Sequence, residues 1–267
     1  AKAGTLAYNG DYLTVSGLNR LKKRLGKINM SCRDDIVSSF RTVKNGGELK
    51  RIKEACRIAD DIFLKIGKKI KPGVKEGEIK NLIYNMSRDG SAEGCSFEPI
   101  VASGPNSAVP HYYGGGRRIL ANDIVLVDMG FIFKGYSSDL TRVLFTGKIK
   151  PIFKKIYNII LSASDIAVEK SKPGAGCSYI DNEVRKFISS SGYGKCFLHS
   201  TGHGIGLEVH EKPYLSPGSR ETLSNGNVFT VEPGIYLPGL GGIRIENVFS
   251  LNRGKPIRLS KSRTYNF

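Results

Sequence analysis

Apolar positions recur along this chain with two different spacings, and the switches between them mark out its elements. From Leu49 the apolar residues Ile52, Ala55, Cys56, Ala59, Ile62, Phe63 and Ile66 follow the i, i+3, i+4, i+7 spacing of a helix with one buried stripe. Ile79, Leu82, Ile83 and Met86 predict a second helix. Ile152, Ile156, Ile159 and Ile160, then Ile180, Val184, Phe187 and Ile188, predict another pair. Runs rich in Val, Ile and Phe read as strands: IVLVDMGFIF and SSDLTRVLF about a Lys134-Gly135 turn, VFTVEPGIYL and GIRIENVFSL about PGLGG. These stripes are core and carry no chemistry themselves.

The pattern occurs twice. KPGVKEGEIKNLIYNMSRDG from Lys71 is echoed by KPGAGCSYIDNEVRKFISSSGYG from Lys172, each a Lys-Pro-Gly turn, a helix-period stretch and a glycine stop. Each copy leads to a strand bearing an acid, Asp128 in VDMG and Glu232 in VEPG. Two copies are too few for a solenoid, so the expectation is one α+β domain of two pseudo-symmetric αβ halves.

Composition narrows the class. The chain has 267 residues, 40% of them hydrophobic, enough for a sizeable core. No apolar run is long enough to span a membrane, and the first thirty residues lack the pattern of a secretory signal. Five dispersed cysteines without a CxxC pair suit reduced thiols in the cytoplasm. Forty-one basic against 24 acidic residues give +17, which raises nucleic acid as a partner. The basic residues come in short pieces such as Lys22-Lys23-Arg24 and Arg117-Arg118, with no aromatic-interleaved stripe, so nucleic acid is set aside as the main partner.

Candidate chemistry lies in the histidines and in four acids set in apolar runs. The chain has four histidines, and His199, His203 and His210 fall within HSTGHGIGLEVH. Asp128 and Asp139 share one expected hairpin, Glu232 and Glu246 the other. An acid among apolar neighbours is costly unless something neutralises it. Four acids and an imidazole make a good ligand set for two hard or borderline divalent cations. Other motifs fail: GHGIG opens no dinucleotide-binding helix, no HExxH occurs, and nucleophile signatures are absent.

PNSAVPHY, the Asp128 to Asp139 segment, STGHGIGLEVHE, TVEPGIY and GIRIEN together resemble the pita-bread (creatinase/aminopeptidase) metallopeptidases, most closely the Xaa-Pro peptidases, prolidase and aminopeptidase P. The resemblance runs from about Ser38 to the end. It implies a curved antiparallel sheet flanked by the two halves and two bound divalent metals, with manganese expected and cobalt, zinc or iron acceptable. It also implies hydrolysis of the Xaa-Pro bond of peptides or dipeptides by a hydroxide bridging the metals. By the resemblance, Asp128 chelates one metal, Asp139 and Glu246 bridge both, and His203 and Glu232 complete the second site. Glu232 is the general base. His111 and His210 hydrogen-bond the substrate carbonyl and the tetrahedral intermediate, His199 lines the proline pocket, and Arg244 stands behind the ligand carboxylates. The alternatives are a methionine aminopeptidase and a non-catalytic pita-bread binding protein using its basic surface.

The division expected is 1–40, a short segment like the tail of a preceding α/β domain, and 41–267, the catalytic domain. The resemblance allows a homodimer. So short an N-terminal segment leads to the expectation of a more open cleft, with weaker discrimination against longer peptides.

Overall fold

The computed structural model describes residues 4–33, 35–90 and 92–264. Its contacts divide the chain into two compact units, Ala1–Thr42 and Val43–Phe267. The first unit holds β1 (Thr5–Tyr8), α1 (Val15–Leu25), β2 (Asn29–Cys32) and α2 (Asp35–Thr42), with β1 and β2 paired in parallel. Thr14 caps α1 by accepting from the Gly17 amide at 3.1 Å, and Lys22, Lys23 and Arg24 sit in its last turn, where cations complement the helix dipole.

The second unit opens with α3 (Gly46–Gly67) and α4 (Glu76–Arg88), the first expected helix pair. α3 begins at a reciprocal cap: Asn45 accepts from the Gly47 and Glu48 amides, and Glu48 accepts from the Asn45 amide at 2.8 Å. Six short strands follow, β3 (Gly94–Cys95), β4 (Ile100–Ser103), β5 (Ile124–Met129), β6 (Phe131–Phe133), β7 (Tyr136–Ser137) and β8 (Leu140–Phe145). The second helix pair is α5 (Pro151–Lys170) and α6 (Cys177–Ser190). After it come β9 (Gly202–Gly204), β10 (Glu211–Leu215), β11 (Val228–Val231), β12 (Gly234–Leu237), β13 (Gly241–Arg244), β14 (Asn247–Asn252) and β15 (Lys255–Arg258).

The repeat is reproduced down to single hydrogen bonds. The Gly73 amide donates to Ile119 O and the Glu76 amide to Arg117 O. In the second copy the Gly174 amide donates to Leu223 O and the Cys177 amide to Glu221 O. Gly73 and Gly174 both lie at positive φ, +95° and +82°, a conformation that glycine adopts without strain and that turns each chain into its helix.

The four long strands expected about the two turns are each broken in two. β5 pairs with β8 while β6 pairs with β7; β11 pairs with β14 while β12 pairs with β13. The inner and outer parts of each hairpin thus belong to different antiparallel sheets. Asp139, Glu232 and Glu246 all fall in these breaks, and Asp128 lies one residue before the last residue of β5.

β5 shows why its sequence is an unbroken apolar run. Ile124 and Leu126 face the core shared with Ile156, Ile160, Ile180 and Val184 of α5 and α6, whereas Val125, Val127 and Met129 face Ile62, Ile66, Ile79 and Ile83 of α3 and α4. A strand covered on both faces needs apolar residues at every position. Asp128 therefore points to the same side as Ile124 and Leu126.

Candidate active site

The four acid candidates sit at the end or break of a strand, and His203 is the central residue of a short one. In β9, Gly202 and Gly204 flank His203, and a side chain at Gly202 would place its Cβ 2.0 Å from Thr230 O. Glycine there lets β9 lie against β11 and delivers His203 into the cleft. The His203 amide donates to Thr230 Oγ1 at 3.1 Å. Its Nδ1 faces Gly204 O at 3.1 Å. A carbonyl only accepts, so Nδ1 carries the proton and Nε2 is the nitrogen offered to the acids.

The structure brings Asp139, His203 and Glu246 together: one ligand atom from each lies within 4.8 Å of the others. His203 Nε2 is 3.2 Å from Glu232 Oε1 and 3.7 Å from Asp139 Oδ2. Asp128 joins the same cleft and accepts from Arg244 Nη2 at 2.6 Å. Three buried carboxylate oxygens, Asp128 Oδ1, Asp139 Oδ1 and Glu246 Oε1, have no hydrogen-bond donor. Buried carboxylate oxygens facing one another without donors are costly unless cations occupy the space between them. Oxygen donors with one imidazole suit borderline divalent ions, so the residues present fit such a group.

The electrostatics of the protein without metal agree. Burial, reinforced by Glu246 and Asp128, raises the Asp139 carboxyl well above the usual range, and burial with Glu232 and Asp128 pushes Glu246 up. Asp128 is raised by burial against the opposing charge of Arg244. Burial also opposes the charged forms of His203 and Glu232, but their hydrogen bond and mutual attraction outweigh it. His203 rises to about 9 and Glu232 falls to about 2. The pair is an ion pair that divalent cations would replace, releasing the imidazolium proton.

Behind the acids, beside Arg244 and His199, lie Thr141, Tyr236 and Arg142, which the sequence did not reveal. Thr141 Oγ1 donates to Glu246 Oε2 at 2.7 Å and accepts from Arg244 Nε at 3.1 Å. Arg244 Nη1 donates to Tyr236 OH at 2.6 Å, and that hydroxyl is 2.8 Å from His199 Nε2. His199 Nδ1 is 2.8 Å from Ser200 O, so Tyr236 donates to Nε2 while accepting from Arg244. Arg142, 1% exposed, donates to the carbonyls of Thr141 and Glu246 and fixes the backbone that presents Glu246. The one sequence signal for Thr141 and Arg142 was their place two and three residues after Asp139 in a buried strand.

His111, His199 and His210 all line the cleft, whose volume is about 440 Å³. His210 packs edge-on to His203 with ring centroids 4.3 Å apart, and His199 makes edge contacts with Phe197 and Tyr236. Burial lowers the pKa of both His199 and His210, favouring neutral rings. His111 is held on a loop whose neighbour Tyr112 donates to Glu76 Oε2 at 3.1 Å. Fully buried Glu76 also accepts from the Ser103 amide at 2.6 Å and Ser103 Oγ at 2.7 Å, and from Asn106 Nδ2 at 3.1 Å.

Comparison with known proteins places these features in one family. Residues 50–252 match the model of metallopeptidase family M24. An Xaa-Pro dipeptidase of Pyrococcus horikoshii is 38% identical over 245 residues, 92% of this chain and 70% of that protein. The crystal structure described as an Xaa-Pro dipeptidase from Bacillus anthracis matches with a TM-score of 0.93 at 40% identity, covering 98% of this chain and 73% of that one. An X-Pro aminopeptidase from Thermotoga maritima matches with a TM-score of 0.89 at 38% identity, over 96% and 73%. The paired αβ halves form the α+β pita-bread fold, and the chain belongs to metallopeptidase family M24.

Proposed function

We propose that this protein is an exopeptidase that hydrolyses the bond between an N-terminal residue and a following proline, using two divalent metal ions. The observation that carries the reading is the meeting of Asp139, His203 and Glu246, with three buried carboxylate oxygens lacking donors, in a cleft lined by three further histidines. Asp128, Asp139, His203, Glu232 and Glu246 would hold the metals, with Asp139 and Glu246 shared between them. Bound there, divalent cations lower the pKa of water and polarise the scissile carbonyl.

The chain's own groups supply the rest. Glu232, beside His203 and within reach of Thr230 Oγ1 at 3.3 Å, takes the proton from the attacking water and passes it to the leaving imide nitrogen. His111 and His210 hydrogen-bond the substrate carbonyl and the oxyanion that forms from it. His199 spends both ring nitrogens on Ser200 and Tyr236, so it offers substrate its ring and not a hydrogen bond. With Phe197 against it, that ring suits the flat side of proline. Proline gives no backbone N–H to grip, which explains a wall of this kind. Arg244 holds Asp128 and the Tyr236 hydroxyl in place.

Manganese, a homodimer and a cytoplasmic setting complete the reading. The free thiols of Cys56, Cys95, Cys177 and Cys196 support the last of these. No helix among the described residues is long and apolar enough to cross a membrane. The test is hydrolysis of Ala-Pro-Ala against Ala-Ala-Ala by protein stripped of metal and reloaded with manganese, with a His203→Ala control. Metal-dependent cleavage of the proline peptide that His203→Ala abolishes is expected. Cleavage of Ala-Ala-Ala at an equal rate would refute the proline preference.

A further inference from the structure

A cleft that cuts before proline can receive two kinds of substrate. In a dipeptide, the proline ends at once in a carboxylate. In a longer peptide the same carbon carries a neutral amide, and the chain runs on. The two differ by one full negative charge a few ångströms from the reacting centre, so the charge of the walls decides between them.

Those walls are acidic. Among the described residues of the lining, Glu98, Asp128, Asp139, Glu232 and Glu246 are carboxylates, and Arg244 is the single arginine or lysine. Arg244 is 3% exposed, and its guanidinium donates to Asp128, Tyr236, Thr141 and the Pro110 carbonyl. It has little left to give a substrate. Two divalent ions would balance the four ligand acids, which leaves Arg244 against Glu98 and no surplus of positive charge. Lys80, which does not line the cleft, is bound to Glu98 itself. His199 has both ring nitrogens engaged, and His111 and His210 are assigned above to the scissile carbonyl. A proline carboxylate entering this cleft would lose its water and find no uncommitted cationic side chain among the lining residues, a costly exchange.

The rim supplies the complementary observation. Tyr113 and Tyr214 line the cleft yet are 67% and 40% exposed. Aromatic rings left open in a cleft offer packing to a chain that extends out of it, and they bring no positive charge to a free carboxylate.

We propose that the cleft is built for peptides that continue beyond the proline, and that Glu98 with its captive Lys80 disfavours Xaa-Pro dipeptides. This rests on the Xaa-Pro reading above and specifies its substrate class. It sets the chain apart from the relatives described as dipeptidases.

The experiment compares Ala-Pro, Ala-Pro-amide and Ala-Pro-Ala with the manganese-loaded full chain, with kcat and KM resolved. Ala-Pro-amide has the length of the dipeptide without its charge. Its kcat/KM, and that of Ala-Pro-Ala, should exceed that of Ala-Pro by tenfold or more, chiefly through KM. Calorimetry provides a readout apart from turnover, and prolinamide should bind more tightly than proline. Glu98→Gln removes the acid and frees Lys80, so it should narrow the gap between Ala-Pro and Ala-Pro-amide several-fold by improving Ala-Pro. Equal or better turnover of Ala-Pro overturns the inference, as does equal binding of proline and prolinamide. A gap unchanged by Glu98→Gln overturns the role given to Glu98. Silence on all three substrates with metal bound would instead sink the Xaa-Pro reading and this inference with it.

Discussion

Thr141→Val is the substitution in which the buried polar network predicts most. The change nearly conserves volume but replaces a hydroxyl that serves two buried partners, the Glu246 carboxyl at 2.7 Å and the Arg244 guanidinium at 3.1 Å. Thr141 itself has no exposure. A hydrogen bond to a charged group contributes about 1.5–3 kcal/mol, and a buried partner left unmatched loses its solvation as well. Losing one such bond to Arg244 and a neutral one, worth about 0.5–1.5 kcal/mol, to the Glu246 carboxyl, with some return from burying a methyl in place of a hydroxyl, gives a net loss of about 2–4 kcal/mol. Thr141→Ser keeps both bonds and loses one methyl group, at about 1 kcal/mol. Urea unfolding of the metal-free protein at pH 7 separates the two variants. Manganese-loaded protein should show a further deficit for Thr141→Val alone, because groups that orient metal ligands alter affinity by about 10–100-fold. Equal stability of the valine and serine variants, to within about 0.5 kcal/mol, would refute the reasoning.

Three more outcomes follow from the same geometry. In metal-free protein the Glu246 carboxyl is raised from 4.5 to about 8, so the folded state keeps a proton that the unfolded chain releases. Its contribution is therefore fully present below pH 4.5 and is lost as pH rises towards 8. Glu246→Gln should gain on the parent by about 3 kcal/mol at pH 7 and by much less at pH 5, read from paired urea titrations; a constant difference across that range would count against it. Tyr236→Phe strands His199 Nε2 and leaves Arg244 Nη1 only the longer bond to Pro110 O, so it should raise KM for proline peptides and shift the His199 ring resonances in NMR, and unchanged resonances would break the proposed relay. Glu76→Ala leaves four donors from Ser103, Asn106 and Tyr112 without their acceptor. It should cost roughly 3 kcal/mol in thermal or urea unfolding and lower kcat through the His111 loop, whereas wild-type kcat would show that the network does not hold that loop.

The chain by itself determined the helix pairs, the twofold repeat and the inventory of candidate ligands. Each depends on local information: a 3.6-residue apolar period in α3 and α5, a Lys-Pro-Gly turn met twice, an acid such as Asp128 where only apolar residues belong. Tertiary structure alone decided how the long strands break and which residues besides Arg244 stand behind the acids. β5 and β6 read as one strand because their apolar run is continuous, and they separate only because their partners, β8 and β7, belong to different sheets. Thr141 and Arg244 are 103 positions apart, Asp128 and Arg244 116, and Glu76 meets Tyr112 across 36. A threonine in a strand or a glutamate opening a helix is ordinary in sequence. What makes each of them matter is a set of buried polar partners brought there by tertiary packing, and hydrogen bonds formed over such separations leave no period in the chain to read.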